Sequence, residues 1–336
     1  MRTTDEAQHH THPGSSSVLR SPDALLRLRM IAAFAAIYLI WGSTYLGIRF
    51  AIETLPPFLM VGVRFFVAGA VLYVWTRLRG SPRPPLVYWR PALILGGLMI
   101  LAANGGVAWA EQRISSGLAA LIVATMPLWM VLLDWVRPGG VRPTRGVVFG
   151  LILGFIGIAL LIGPAHIVDN HHVDPKAATV LILVGFFWSV GSLYSREAPG
   201  PPVLLQGTAM QMLAGGMLLL LLAGITGEWG RLDVGGISPR SLLALAYLIV
   251  FGSIVGFTSY VWLLRVSTPA RASTYAYVSP VVAMFLGWAL ADEPVTLQTM
   301  LAAAVIAAAV AMVIIGRRRK LDAPATDQDS GPAGHS

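Results

Sequence analysis

Apolar residues along this chain come in long unbroken runs, not in the alternating or one-faced patterns of soluble strands and helices. Ten runs of about 20 residues, the length of helix that crosses roughly 30 Å of hydrocarbon, can be marked. They lie approximately at Met30–Ile52, Phe58–Leu78, Pro91–Ala110, Gly117–Trp135, Arg145–Gly163, Ala177–Glu197, Val203–Ile225, Ser241–Leu263, Arg271–Ala291 and Leu297–Gly316. Only helices and closed barrels satisfy every backbone group in lipid, and a barrel is written in short alternating segments. The pattern therefore predicts an all-α membrane protein of ten transmembrane helices. Connectors such as Arg79-Gly80-Ser81-Pro82 and Arg137-Pro138-Gly139-Gly140 read as turns. Residues 1–29 and 317–336 read as polar, disordered tails, and 164–176 as an external linker between two halves.

The pattern repeats internally. Shifting Ile37–Ala51 by 147 residues lays Trp188 on Trp41, Arg196 on Arg49 and Ala198 on Ala51. An offset of 153 pairs Trp109 with Trp262, Pro127 with Pro280 and Trp135 with Trp288, and Pro56-Pro57 has its counterpart in Pro201-Pro202. Each half, 30–163 and 177–316, carries five of the runs. An odd number of spans turns the second copy over, giving inverted repeats about a pseudo-twofold axis in the membrane plane. Such bundles can exchange conformations and open a shared site alternately to either side. The plainer alternative is that duplication only builds a stable bundle.

Charge sets the orientation. With the N-terminus inside, the cytoplasmic segments hold eighteen Lys and Arg against five outside, so both ends are expected in the cytoplasm. The chain is 56% hydrophobic and 12% charged, and its net charge of +8 is spread thinly between apolar runs, so the basic residues read as topology signals and no nucleic-acid partner is expected. There is no cysteine, hence no disulfide or thiolate chemistry. The two lysines, Lys176 and Lys320, follow Pro175 and Arg319, which excludes a GxxxxGK[ST] phosphate loop. His166, His171 and His172 share a linker without supporting carboxylates, and no histidine falls in a span, so no metal and no cofactor is expected. An intramembrane enzyme would need a buried base or metal set, and none is visible, so the chain is not expected to be an enzyme.

The stretch Trp41–Ala70, WGSTYLGIRFAIETLPPFLMVGVRFFVAGA, and the later Ala291–Thr296, ADEPVT, resemble the EamA family of the drug/metabolite transporter superfamily over both halves. The resemblance implies a ten-helix inner-membrane carrier with inverted repeats, a central cavity, and export of amino acids, other metabolites or drugs. The halves differ, however. Gly42-Ser43-Thr44 becomes Ser189-Val190-Gly191, and Glu293-Pro294-Val295-Thr296 has no counterpart at Gly140–Thr144, so an unequal contribution to the site is expected.

Polar side chains inside hydrocarbon tend to face a cavity or another helix. On that ground the expected substrate pathway comprises Trp41, Ser43, Thr44 and Tyr45 of the first span and Trp188, Ser189 and Ser192 of the sixth. Asn104, Trp109, Tyr260, Trp262, Tyr275 and Tyr277 add hydrogen-bonding and aromatic groups, and Pro127 and Pro280 mark paired helix interruptions. Packing or an interfacial aromatic belt remains the alternative for each. Arg64 lies about 9 Å into its helix and needs a partner: a substrate carboxylate, Glu53 or Glu111, or the outer surface by snorkelling. Arg49 and Glu53, four apart, are expected to pair. Gly146, Gly150 and Gly154, with Ala303 and Ala307 at offset positions, form a close-packing face for helix association or a homodimer. The expected function is secondary transport of a small-molecule substrate across the lipid bilayer, by export or exchange. An uptake carrier or a narrow channel is the alternative. Carboxylates near span ends leave the coupling open.

Overall fold

The computed structural model describes residues 22–137, 143–162, 174–267 and 275–321. Among them the chain is helical throughout: α1 (Pro22–Ala51), α2 (Pro57–Leu78), α3 (Leu86–Ala110), α4 (Ser116–Val136), α5 (Arg145–Ile162), α6 (Pro175–Glu197), α7 (Leu204–Ile225), α8 (Pro239–Val266), α9 (Tyr275–Ala291) and α10 (Leu297–Leu321). A single turn, Glu228–Arg231, lies between α7 and α8. Seven helices, α1 to α4 and α6 to α8, are long and apolar enough to cross a membrane. Arg145–Gly157, Val278–Ala291 and Leu297–Met312 are shorter apolar helices at the places of the other three expected runs. These helices are apolar on both sides: in α2, Phe65 and Ala68 are buried while Val71, Val74 and Trp75 face outward, as lipid contact requires.

Local chemistry sets the helix starts. Pro57, Pro175 and Pro239 occupy first turns, where a missing N–H costs nothing. Asp174 and Ser238 cap α6 and α8, accepting from the N–H of Lys176 at 2.8 Å and of Ser241 at 3.1 Å. Two helices change winding midway, α3 through a π-helical stretch at Gly96–Asn104 and α8 through another at Leu248–Phe257. Helix α4 breaks after Val123 and resumes at Met126, with Pro127 in the first turn of the second piece. Pro280, by contrast, is accommodated inside a continuous α9.

Helices α2 and α7 pack along their lengths, as do α5 and α10. Helix α1 lies against α9 and against the π stretch of α8; α6 lies against α4 and against the π stretch of α3; α7 also packs on α3, and α2 on α8. The α2–α7 contact is backbone to backbone: a Cβ on Gly216 would lie 2.5 Å from the Phe66 nitrogen, and one on Gly69 2.7 Å from that of Leu213. On α5, Gly154 packs against Leu128 of α4 and Gly157 against Ile306 of α10, whereas a Cβ on Gly146 would meet no atom of the described residues within 4 Å. Gly150 is buried, Ala303 packs on the core, and Ala303 and Ala307 line a small crevice beside Pro280.

Candidate functional site

A cavity of about 80 Å³ sits where α1, α2, α3, α4, α6, α8 and α9 converge. Much of its wall is aromatic. Trp41 of α1 stands edge-on to Trp188 of α6 and Tyr275 of α9, with centroids 5.6 and 4.9 Å apart, and Tyr260 of α8 lies 5.0 Å from Trp41. These rings are tied down. The Trp41 indole donates to the Gly252 carbonyl at 3.3 Å, Tyr260 and Ser192 share a hydrogen bond of 3.3 Å, and the Tyr275 hydroxyl reaches Met126 Sδ at 3.5 Å. Asn104 donates from its side chain to the Met99 carbonyl five residues back, within the π-helical stretch.

Arg64 brings a positive charge into this wall. It is 3% exposed, its Nε donates to Ser253 Oγ at 2.8 Å, and its guanidinium sits 4.7 Å over the Phe65 ring. Its Nη1 is buried without a hydrogen-bond partner among the described residues. The α8 backbone must come close for this arrangement: a Cβ on Gly252 would lie 2.8 Å from Arg64 Nη2, and one on Gly256 2.6 Å from Trp41 Nε1. Neither protein carboxylate expected for Arg64 is hydrogen-bonded to it. Glu53 pairs instead with Arg240 at 3.5 Å, and the expected Arg49–Glu53 pair gives way to a bond from Arg49 Nη1 to the Glu111 carbonyl at 2.8 Å. The turn after α1 carries Glu53 toward the head of α8, out of the reach of an i,i+4 partner.

The two ends of the bundle differ. At the Arg196 end a cleft of about 350 Å³ runs between Tyr88, Pro91 and Leu95 of α3, Arg196 in the last turn of α6 with Ala198–Pro201 beyond it, and Leu264 and Arg265 of α8. Phe257 lines both this cleft and the central cavity, so an aromatic layer divides the two spaces. The Glu293 end is drawn shut by carboxylates of the second half seated on helix N-termini of the first. Glu293 accepts from Ser116 N at 2.8 Å, Ser116 Oγ at 2.9 Å and Gly117 N at 3.2 Å, and Glu228 accepts from Leu59 N at 2.8 Å. Asp292, at φ 52°, makes the left-handed turn that brings Glu293 back onto α4. Glu228 lies between the α7 and α8 spans; burial raises its pKa, opposed by the hydrogen bonds from Leu59 and Phe58 and by Arg231.

Of the expected pathway residues, Trp41, Thr44, Tyr45, Arg64, Asn104, Trp188 and Tyr275 line the central cavity. Tyr260 lines the Arg196-end cleft and touches the aromatic cluster. Ser43 points elsewhere, into a groove on the outer face of α1 and α9, where it bonds Tyr247. Ser189 ties α6 to α4 through the Met126 carbonyl, at 3.0 Å. Trp109 carries the Arg113 guanidinium 4.0 Å over its ring, and Trp262 packs on the core. The Tyr277 side chain lies outside the described residues. Phe257, Met126, Ser279 and Gly252 line the cavity unanticipated. A usable signal existed, since the offset of 153 pairs Asn104 with Phe257 and Met126 with Ser279.

Comparison with known proteins places this arrangement. The model of the EamA-like transporter family matches residues 28–163 and 175–315. The chain is 37% identical over 291 residues to the uncharacterized inner membrane transporter YedA of Escherichia coli (strain K12), covering 86% of this chain and 92% of that protein. It is 21% identical over 294 residues to the uncharacterized transporter YoaV of Bacillus subtilis (strain 168), covering 85% and 96%. A solved crystal structure shares the fold with a TM-score of 0.61 at 21% identity, over 87% of this chain and 99% of that one.

Proposed function

The chain belongs to the EamA-like transporter family, and from that premise we propose that it is a multi-pass inner-membrane carrier exporting or exchanging small metabolites, such as amino acids or drug-like compounds, by alternating access. The observation that carries this reading is the packing. Exchanging α1 to α5 with α6 to α10 turns α1–α9 into α6–α4, α3–α6 into α8–α1 and α3–α7 into α8–α2, while α2–α7 and α5–α10 map onto themselves. The π stretches at 96–104 and 248–257 correspond under the offset of 153 to within a residue. Trp41 with Trp188, Asn104 with Phe257 and Met126 with Ser279 are corresponding pairs, and all six line the cavity. These features support two five-span repeats of opposite orientation with a shared central site.

With both termini in the cytoplasm, as the distribution of Lys and Arg favours, the Arg196 end faces inward and the Glu293 end outward. The conformation is then inward-facing. A central space of 80 Å³ is smaller than the roughly 300–1,000 Å³ of a pocket that buries a drug-sized ligand, so the walls must part to admit one. The free Nη1 of Arg64 beside an aromatic wall suits a solute with a carboxylate on an apolar body. The test is uptake into proteoliposomes of labelled amino acids and cationic drugs, with and without a pH gradient. Saturable counterflow, impaired by Arg64→Ala more than folding is, agrees with the proposal. Unsaturable single-channel current would show a pore, the alternative reading, and unchanged flux in that variant would remove Arg64 from the pathway.

A further inference from the structure

Glu111 is the first residue beyond the apolar span of α3, it is 0% exposed, and among the described residues neither of its carboxylate oxygens has a hydrogen-bond partner. It continues the cavity-lining face of α3, one turn past Val107, at the roof of the central space. The ionisable groups around it come from several elements. Arg49 of α1 holds the Glu111 carbonyl, not its carboxylate. Glu293 and Arg64 act on Glu111 through their charges, as Glu111 does on Tyr45, while Tyr247 of α8 acts in turn on Arg64. At the head of α6, Asp174 is taken up by Arg113 at 3.5 Å. An ionised carboxylate shut away from water and from donors is strongly disfavoured. Burial first, then Glu293, raise the proton affinity of Glu111, and Arg49 and Arg64 offset only part of this.

The repeat says what happens to this residue in the opposite conformation. Under the offset of 153, Glu111 corresponds to Leu264, and Leu264 lines the cleft at the open Arg196 end. Other walls of that cleft, Pro91, Leu95 and Arg196, correspond to Ala244, Leu248 and Arg49 at the shut Glu293 end, where Ala244 and Leu248 are buried. When the halves exchange conformations, Glu111 therefore becomes a wall of a water-filled outer cleft, where it ionises. We propose that Glu111 is a proton-binding site, taking a proton from the outer solution as the Glu293 end closes and releasing it as that end opens. This rests on the alternating-access reading above. No electrons move: a proton leaves outer water, bonds one carboxylate oxygen, and returns when the roof parts. The sign follows from linkage. The closed state binds the proton more tightly, so closure is favoured at low pH and lost as pH rises from the ordinary carboxylate value of about 4.3 through the raised value.

The test is difference infrared spectroscopy of the full chain in lipid nanodiscs during a pH titration, reading the C=O stretch of protonated carboxyl groups. The proposal expects a band that persists above the ordinary carboxylate value of about 4.3, fades as pH rises further, and is lost in Glu111→Gln. No band above that value in the unsubstituted protein, or an undiminished band in Glu111→Gln, overturns it. Should Glu111→Gln not fold, Arg49→Gln removes a positive neighbour and must shift the titration to higher pH, and an unmoved midpoint is equally fatal. The infrared readout needs no transported solute, so it separates the two ideas. A band without counterflow would sink the carrier reading, and counterflow without a band would sink the proton site alone.

Discussion

Replacing Glu293 by glutamine should loosen the end of the bundle that this side chain holds shut. The carboxylate receives two backbone N–H groups and one hydroxyl at the start of α4, at 2.8 to 3.2 Å, and it sits on the positive end of that helix. An amide keeps one accepting oxygen and loses the charge. The expected loss is about one charge-assisted hydrogen bond together with the helix-terminus attraction, ~2 kcal/mol. At ~1.4 kcal/mol per factor of ten, the ratio of shut to open molecules falls about 30-fold. The chain contains no cysteine, so a single reporter thiol has no background. Leu245→Cys is suited to this, because Leu245 packs on the core here and corresponds under the offset of 153 to Ala92, which lines the open cleft. In right-side-out vesicles, alkylation of that thiol by a membrane-impermeant maleimide should accelerate by at least tenfold when Glu293→Gln is added. An unchanged rate in a folded double variant would show that the Glu293 contact does not hold the end closed.

Three further outcomes follow from the geometry. Gly216→Ala places a methyl 2.5 Å from the Phe66 nitrogen, where only backbone can yield, and should lower stability by about 1–3 kcal/mol, seen as a drop in Tm in detergent. Gly252→Ala meets the guanidinium end of Arg64 at 2.8 Å and Thr44 Cγ2 at 3.0 Å, both side-chain ends, and should fold yet slow counterflow several-fold; a normal rate would mean that the guanidinium position is immaterial. Burial raises the pKa of Glu228 in the fold, so this group makes stability fall as pH rises from about 4.3 through the raised value. Glu228→Gln can still accept from Leu59 N and should flatten that part of the Tm-versus-pH curve, whereas a steeper curve would reverse the assigned sign.

What was legible in the chain was what repeats or is anomalous in hydrocarbon. The offset that aligned Trp41 with Trp188 found two rings now in edge contact, and a buried arginine marked the cavity wall. Phe257 and Ser279 went unseen because an aromatic and a lone hydroxyl in an apolar run look like packing, although their partners at the offset of 153, Asn104 and Met126, had been chosen or lay beside Pro127. Ser43 was misplaced for a geometric reason: it is one position away from Thr44, and adjacent residues on a helix differ by about 100° in direction, so one meets the cavity and the other the outer groove. Glu111 was visible only as a candidate partner for Arg64 and as one of the carboxylates near span ends. Its place at a span end suggests water, whereas in the fold it is 0% exposed and within reach of the charge of Glu293 from the other half of the chain.

The central claim is that two matching halves open the ends of the bundle in turn. Spin labels on cysteines at Arg90 and Arg265 would straddle the open cleft, and their counterparts under the offset of 153, Leu243 and Gln112, straddle the shut end; all four side chains are exposed. Pulsed electron-resonance distances in nanodiscs, recorded with and without Glu293→Gln, decide the matter. The account predicts that the 112–243 distance lengthens as the 90–265 distance shortens. Two distances that stay fixed, or that change in the same direction, would contradict it.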